Sequence, residues 1–512
     1  MKKVISAFAM LFILIGCGKD FLELEPEGAP TLATFWKSEA DVIAATNGLY
    51  LLNDFQGIYG RGIHLYSLIP SDDFVVGKSK GQIEDIKNFF TDGSGSYTRD
   101  IWAMHYQVVK RANDIIVNVP DMDISSDLKN FALGQAYFMR GLAYFQLSVI
   151  YGDQRAGIPI VDENTESFFI ERPVHVSESY AFAADSFSKA AELLPYFDQI
   201  SQDDYGKPHK NAAYGYLART HLHNAQYDST SWGKVVEACN QVINSGKNAL
   251  EPIFEDAFKI ANNWGPEYLW SVPSNKEGGS IFPGASLENK GWGKYNGWGY
   301  FAPTLELYES YLPGDTRREA TILKFGDTFT YFGESRRYWS TINLTGFQFK
   351  KYMEPYSYPD AQHLNGNGDH PTTDLNLPLL RYSHVLLMKA EAQIMQGQNG
   401  DAALNEVRQR AGLSSISEAT LTDLKYERRA EFAGELFGRY EDLIRWGDAA
   451  TVIPNALHGR IHSDKSDPDS PFVVEEVWPA RPQFDASIYH VWPIPPLVIA
   501  TSEGTIQQNE GW

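Results

Sequence analysis

Apolar residues recur every three or four positions through most of this chain, the period of an amphipathic helix. Residues Glu39 to Leu52 carry Val42, Ala45 and Leu49 on one face behind a Ser38 N-cap. Trp102 to Val119 repeats Trp102, Tyr106, Val109 and Ile116 before a stop at Pro120. The longest clear pattern, Ser126 to Tyr151, spaces Phe131, Phe138, Leu142, Phe145 and Val149 along one stripe. Further helices are predicted over Pro173 to Leu194, Lys210 to Asn224, Ser231 to Ser245 with Gly246 as C-cap, Leu380 to Gln396, and Asp401 to Ala411.

Helices joined by short turns pair into hairpins, and several in succession predict a tetratricopeptide-like repeat. About four pairs can be drawn: 38–52 with 100–119, 126–151 with 173–194, 210–224 with 231–245, and 380–396 with 401–411. In the last, Tyr382, Leu386, Ala390 and Ala392 face Ala402, Ala403 and Val407 across a turn at Gly397 and Gly400. Between 247 and 378 the texture shifts to Gly, Pro, Asn and aromatics, with β-leaning pieces at Tyr268–Trp270 and Phe347–Phe349; 53–99 and 449–512 are similar. Such stretches are too aromatic for disorder and long enough to be functional loops. The expected fold is mostly α: a tetratricopeptide-like scaffold with an embedded loop-rich ligand lobe, mainly 53–99 and 247–378.

The N-terminus sets the compartment. Lys2 and Lys3 precede an apolar run from Ala7 to Ile15, and Leu14-Ile15-Gly16-Cys17 follows. That run is short of the roughly 20 residues a membrane span needs, and a basic start with a short apolar core reads as a signal peptide. The Cys after Gly16 matches a bacterial lipobox, so residues 1–16 are expected to be cleaved and Cys17 acylated. Residues 17–33 then form a tether, and 34–512 one unit. Acyl chains gain on the order of 0.8 kcal/mol per buried CH₂, so several hold a water-soluble body at a membrane. Of the 2 cysteines, Cys239 is left without a partner and is expected to be a small buried hydrophobe. A net charge of −21 argues against nucleic acid, whose phosphates need a basic face.

Several blocks resemble the SusD/RagB family. They are TFWKSEADVIAATNGLY (Thr34 to Tyr50), VVKRANDIIVNV (Val108 to Val119), GQAYFMRGLAYFQLSVIYGD (Gly134 to Asp153), ERRAEFAGELFGRYEDLIRWG (Glu427 to Gly447) and the ending from Val491 to Trp512. They run in order from near the lipobox to the last residue, with Glu510 where the family commonly has Pro. The resemblance implies a non-catalytic surface lipoprotein that caps a SusC-like TonB-dependent transporter of the outer membrane. It implies too that the helical scaffold faces the transporter and that the loop-rich lobe binds glycan.

The densest candidate for that lobe's site runs from Gly291 to Phe301. Trp292, Tyr295, Trp298 and Tyr300 offer flat rings for the apolar faces of pyranoses, and Lys294 and Asn296 offer hydrogen bonds to hydroxyls. The loop from Gln56 to Tyr97 adds Arg61 and Asp73 as ligand contacts, with Tyr59, His64, Tyr66, Asp72, Phe89 and Phe90 nearby; the string Ser71-Asp72-Asp73 also suits turn capping. That loop has no Trp, which disfavours a starch-shaped arc; the sequence alone does not choose among glycans, and a β-glucan such as laminarin is taken as the expectation. Tyr331, Phe332, Tyr338 and Trp339 with Arg336 and Arg337 form a third cluster, structural or partner-facing. The alternatives are a peptide-binding member of the family, or a transporter lid with little ligand binding of its own.

Enzymatic and metal chemistry find little support. Glu427, Glu431 and Glu435 fall at i, i+4, i+8, but interleaved Arg residues predict ion-paired helix support, and no carboxylate pair has the spacing glycoside hydrolysis needs. Asn365, Asn367 and Asp369 alternate as Ca²⁺ ligands do, but without the rest of an EF-hand loop. His221 and His223 point to different helix faces. No cofactor is expected.

Overall fold

The computed structural model describes residues 35–53, 58–59, 62–77, 81–167, 169–275, 299–331, 334–353 and 373–512. Its frame is a succession of helices, each packed on the next: Ser96–Asn118, Ser126–Tyr151, Val176–Leu193, Lys210–Asn224 and Ser231–Asn244. Tyr382–Met395 then packs on both Ser231–Asn244 and Asp401–Arg410. This is the helical-repeat scaffold the periodicity predicts. A hydrophobic core cluster runs through it from Val42 to Ile494.

Small residues set how closely these helices approach. A Cβ at Gly141 would stand 3.1 Å from the Phe187 ring and 3.2 Å from the Ala183 carbonyl, so a side chain there would push the 126–151 and 176–193 helices apart. One residue earlier, Arg140 is 1 % exposed and ties three elements together. Its Nη1 donates to Asn113 Oδ1 at 2.9 Å and to Glu163 Oε2 at 2.6 Å, and its Nε donates to Ser186 Oγ at 3.2 Å. The Arg among small and aromatic residues in the Gly134–Asp153 block is thus a buried cross-brace. Cys239 is a free thiol buried in the scaffold, as its surroundings in sequence predicted.

The strands form two-stranded antiparallel pairs, two of them joining parts of the chain more than a hundred residues apart. Phe74–Val76 pairs with Phe301–Pro303, and Tyr268–Val272 with Leu377–Arg381. Ile322–Lys324 pairs with Phe347–Phe349, and Leu457–His462 with Phe472–Trp478.

Several expectations need correction. The 53–99 stretch is not mainly loop: helices Gly62–Leu68 and Gly81–Lys87 flank the strand Phe74–Val76, and every residue of 62–68 is buried. The C-terminal stretch holds the 457–462/472–478 hairpin and the helix Pro496–Thr501. Residues 377–381, partly read as helix, are a strand. Glu427, Glu431 and Glu435 do not share one helix. Leu421–Phe432 stops short of Glu435, and the chain turns through Gly434 (φ 75°) and Phe437 (φ 54°) before Arg439–Arg445 begins. Local periodicity cannot register pairings made by residues more than a hundred positions apart.

Candidate functional site

Five of the predicted contacts, Trp292, Lys294, Tyr295, Asn296 and Trp298, lie outside the described residues, as do Arg61 and Cys17. The Asn365–Asp369 string does too. The structure does fix where the surrounding chain leaves and rejoins the scaffold. At one end, Ser274 N donates to Asn376 Oδ1 at 3.0 Å, so 276–298 departs beside the point where 354–372 returns. At the other, Gly77 N donates to the Tyr300 carbonyl at 3.2 Å, next to the 74–76/301–303 strand pair. A Cβ on Gly77 would come 2.4 Å from Gly299 O, so this contact requires glycine. Gly77 and Gly299 therefore lie side by side. The His64 ring, on the helix that follows Arg61, stands edge-on to Phe301 at 6.4 Å.

Two described residues of the predicted site turn inward. The Tyr300 side chain is 2 % exposed and Asp73 is 0 % exposed, so neither has surface to offer a sugar. Asp73 instead accepts from Arg429 Nε at 2.9 Å and Nη2 at 2.7 Å. Its neighbour Asp72 accepts from Arg429 at 2.9 Å and from Arg439 Nε at 2.8 Å. Against the burial that would raise it, these guanidiniums hold Asp72 well below the usual carboxylate range. Lys87, also buried, donates to the carbonyls of Ser71 at 2.7 Å and Phe74 at 2.6 Å and pins the same turn. The Ser71-Asp72-Asp73 string is an ionic anchor for the base of the lobe. Tyr59, His64, Tyr66 and Phe89 are likewise core residues, whereas Phe90 is 65 % exposed. In the third cluster, Tyr338 is buried and Arg337 reaches Asp469 at 2.6 Å.

The charged run 427–445 supplies one side of three buried ionic clusters. The first anchors the 72–73 turn through Arg429 and Arg439. In the second, Arg428 and Arg445 contact Asp442 at 2.8 and 2.9 Å, and Arg445 contacts Glu391 at 2.5 Å. The third is the largest. Arg381 contacts Glu267, Glu431 at 2.9 Å and Glu435 at 2.6 Å. Arg317 contacts Asp315 at 2.7 Å and Glu427 at 2.8 Å, and Arg408 reaches Glu427 at 2.7 Å. Arg410 contacts Glu267 at 3.1 Å and also Glu431, and Lys351 contacts Glu435 at 2.9 Å.

That third cluster sets five cations (Arg317, Lys351, Arg381, Arg408, Arg410) against five anions (Glu267, Asp315, Glu427, Glu431, Glu435), so the interior carries no net charge there. It joins the scaffold to the β-rich lobe. The sequence reading saw ion pairing in this run but placed it along one helix. The partners come from 267, 315, 317, 351 and 381, which only the fold brings near. Among the described residues, no group of three or more His, Cys, Asp or Glu is arranged to hold a metal ion.

Comparison with known proteins decides the family. A model described as "SusD family" matches residues 251–512, half of the chain, and a second, described as "Starch-binding associating with outer membrane", matches residues 20–222. The chain belongs to the SusD family. Among curated relatives of this family, SusD-like protein P2 of Formosa agariphila is 26 % identical over 562 residues, covering 100 % of both chains. A SusD-like protein of Bacteroides ovatus is 27 % identical over 481 residues, covering 86 % of this chain and 82 % of the relative. Solved SusD-like structures share the fold. One from Bacteroides fragilis has a TM-score of 0.77 at 22 % identity, covering 94 % of this chain and 100 % of that one. Surface glycan-binding protein A of Bacteroides thetaiotaomicron, solved in complex with laminarihexaose, has a TM-score of 0.71 at 23 % identity, covering 92 % and 99 %. A laminarin-binding SusD-like protein has a TM-score of 0.72 at 22 % identity, covering 93 % and 100 %.

Proposed function

We propose that this protein is a cell-surface glycan-binding lipoprotein that captures an oligo- or polysaccharide, with a β-glucan such as laminarin as the first candidate, and delivers it to a SusC-like TonB-dependent transporter. The observation that carries the reading is SusD-family membership, supported by relatives of the same fold that bind laminarin and laminarihexaose. The segment bearing Trp292 and Trp298 supplies the stacking platform, with Lys294, Tyr295, Asn296 and Arg61 as hydrogen-bonding contacts. Affinity is modest, because each sugar hydroxyl exchanges water for protein with little net gain. The role is binding without catalysis: the carboxylates of the 427–445 run that join the second and third clusters are committed to buried cations rather than flanking a sugar-sized cleft.

Affinity electrophoresis in gels containing laminarin, starch or other polysaccharides tests the platform. The unsubstituted protein is expected to be retarded by at least one glycan. Replacing Trp292 and Trp298 together by alanine should weaken that retention by about tenfold or more, the loss of two stacking rings. Equal retention of the double variant would sink the platform. For the anchor, Cys17→Ser is expected to abolish acyl labelling and release the protein from the membrane fraction; a variant that stays membrane-bound would count against lipidation at Cys17.

A further inference from the structure

Three aromatic rings that the sequence reading did not single out pack against one another at the surface. Phe197 and Tyr205 lie in the connection between the 176–193 and 210–224 helices, and Trp264 lies just before the strand Tyr268–Val272. Ring centroids are 4.8 Å apart for Phe197 and Tyr205, 5.6 Å for Tyr205 and Trp264, and 6.5 Å for Phe197 and Trp264, the last pair stacked at 21°. All three are partly exposed.

Trp264 holds a backbone conformation (φ 65°) that a bulky residue rarely adopts. Its neighbours impose it. Asn263 Nδ2 donates to Asp374 O at 2.7 Å, and its Oδ1 accepts from Asn376 N at 3.1 Å. On the other side, a Cβ at Gly265 would come 2.6 Å from Glu251 Oε1 and 2.8 Å from Asn262 O, so only glycine fits. A backbone outlier so firmly held is a reason to look for function. Asn376 also receives Ser274 N, which places Trp264 beside the exit of the 276–298 segment.

Behind the rings opens a small cavity, whose lining includes Phe197, Lys207, His209, Trp264, Trp270 and Ser271. Its enclosed part admits a group about the size of one water molecule. Two polar atoms buried there, His209 Nδ1 and Ser271 Oγ, have no hydrogen-bond partner among the described residues. Unsatisfied buried groups of this kind are rare in folded proteins and call for a partner. Burial pulls the His209 imidazole down to about 4, against a hydrogen bond to the Leu269 backbone, so near neutral pH it is uncharged; with the other ring nitrogen donating to that backbone, Nδ1 is left to accept.

We propose that Phe197, Tyr205 and Trp264 form a second sugar-binding subsite, in which a pyranose lies against the rings and one of its hydroxyls enters the cavity to reach His209 and Ser271. The assignment rests on the glycan-capture reading and extends it to a second surface. Rings supply sequence-tolerant apolar contact, and a single buried hydroxyl position supplies selectivity, because an analogue lacking that hydroxyl leaves two polar groups unpaired.

The test measures affinity of the full mature chain for laminarin, amylopectin and mixed-linkage β-glucan, comparing the unsubstituted protein with Trp264→Ala, Ser271→Ala and the Trp292/Trp298 double alanine variant. On whichever polysaccharide binds, Trp264→Ala is expected to be about tenfold weaker. Ser271→Ala should bind several-fold more weakly, with its thermal midpoint unchanged or raised because it removes an unpartnered hydroxyl. If Trp264→Ala does not fold, Tyr205→Ala takes its place as the test of the rings. Full affinity in a folded ring variant overturns the subsite, while loss in the Trp292/Trp298 variant alone leaves glycan capture standing. Full affinity in Ser271→Ala means the cavity holds a structural water only and overturns the hydroxyl contact. If no polysaccharide binds the unsubstituted protein, glycan capture and the subsite fall together.

Discussion

Arg381→Ala is expected to lower the free energy of unfolding by about 3–5 kcal/mol, the usual cost of removing one partner from a buried ion pair. Arg381 is 0 % exposed, and its guanidinium is shared among Glu267, Glu431 and Glu435, themselves buried. Taking it away leaves five anions facing four cations where water cannot enter. Phe254, Phe258 and Phe432 flank the guanidinium at 5.1 to 5.9 Å, so the vacated space cannot rehydrate easily. Arg381→Lys keeps the charge but loses the fork that grips Glu435 through both Nε (2.9 Å) and Nη2 (2.6 Å), so it should fall between the two. Urea titration followed by circular dichroism measures both variants. A loss below about 1 kcal/mol for the alanine variant would show that the cluster contributes no more than a surface pair.

Glu441→Gln is expected to stabilise the protein at pH 8 by about 2 kcal/mol or more, and to remove a loss of stability that the parent shows as pH rises. Most acids of the 427–445 run have a cation within ion-pair distance; for Glu441 the described contact is Ser67 Oγ, which donates to Oε2 at 3.2 Å. It borders a cavity lined also by Tyr180, His223, Tyr227, Tyr440 and Trp492. Burial, with Asp442 adding to it, pushes its carboxyl up to about 8, against the hydrogen bond from Ser67 and the more distant Arg219. In the unfolded chain the same group titrates near 4.5.

The folded protein therefore keeps a proton on Glu441 that the unfolded chain has released. Stability from this group is fully present below about pH 4.5 and is lost as pH rises to about 8, at up to about 1.4 kcal/mol per pH unit. Because Glu441 is partly exposed, water moderates this, and the expected gain is set at less than half of the full span. Glu431 and Glu435 act in the opposite sense. Despite burial, Arg410 and Arg381 hold Glu431 down, and Arg381 and Lys351 hold Glu435 down, so their contribution is present above their unfolded values and is lost as pH falls. Replacing Glu441 by Gln removes its share of the loss at rising pH and leaves the acid-side loss in place. Thermal midpoints of both proteins from pH 5 to 9 give the answer, and parallel curves would refute the assignment.

The helices were legible because what forms them is local. Ser126–Tyr151 and Lys210–Asn224 begin and end where their apolar stripes and stop signals predicted, since a 3.6-residue period shows within a dozen positions. The ordered blocks from Thr34 to Trp512 pointed to the SusD family for a similar reason: each is a short string whose residue types can be read without partners. The candidate site was less legible. Asp73 is a polar residue in an aromatic stretch, and by sequence it suits a ligand contact as well as an anchor. Its partner Arg429 is 356 positions away. Tyr300 lies among rings and glycines, and only its position beside the Phe74–Val76 strand shows that its ring faces the core.

By itself the sequence determined the scaffold's helices and the family. Tertiary structure alone decided which of its charges neutralise one another. It alone sent Asp72 and Asp73 to Arg429 and Arg439, gathered nine other charged groups into one cluster with Arg381, and left Glu441 in a cavity wall. The physical reason is range. Helix formation draws on neighbours three and four residues away, whereas the fate of a charge depends on burial and on which opposite charge the fold brings within about 4 Å.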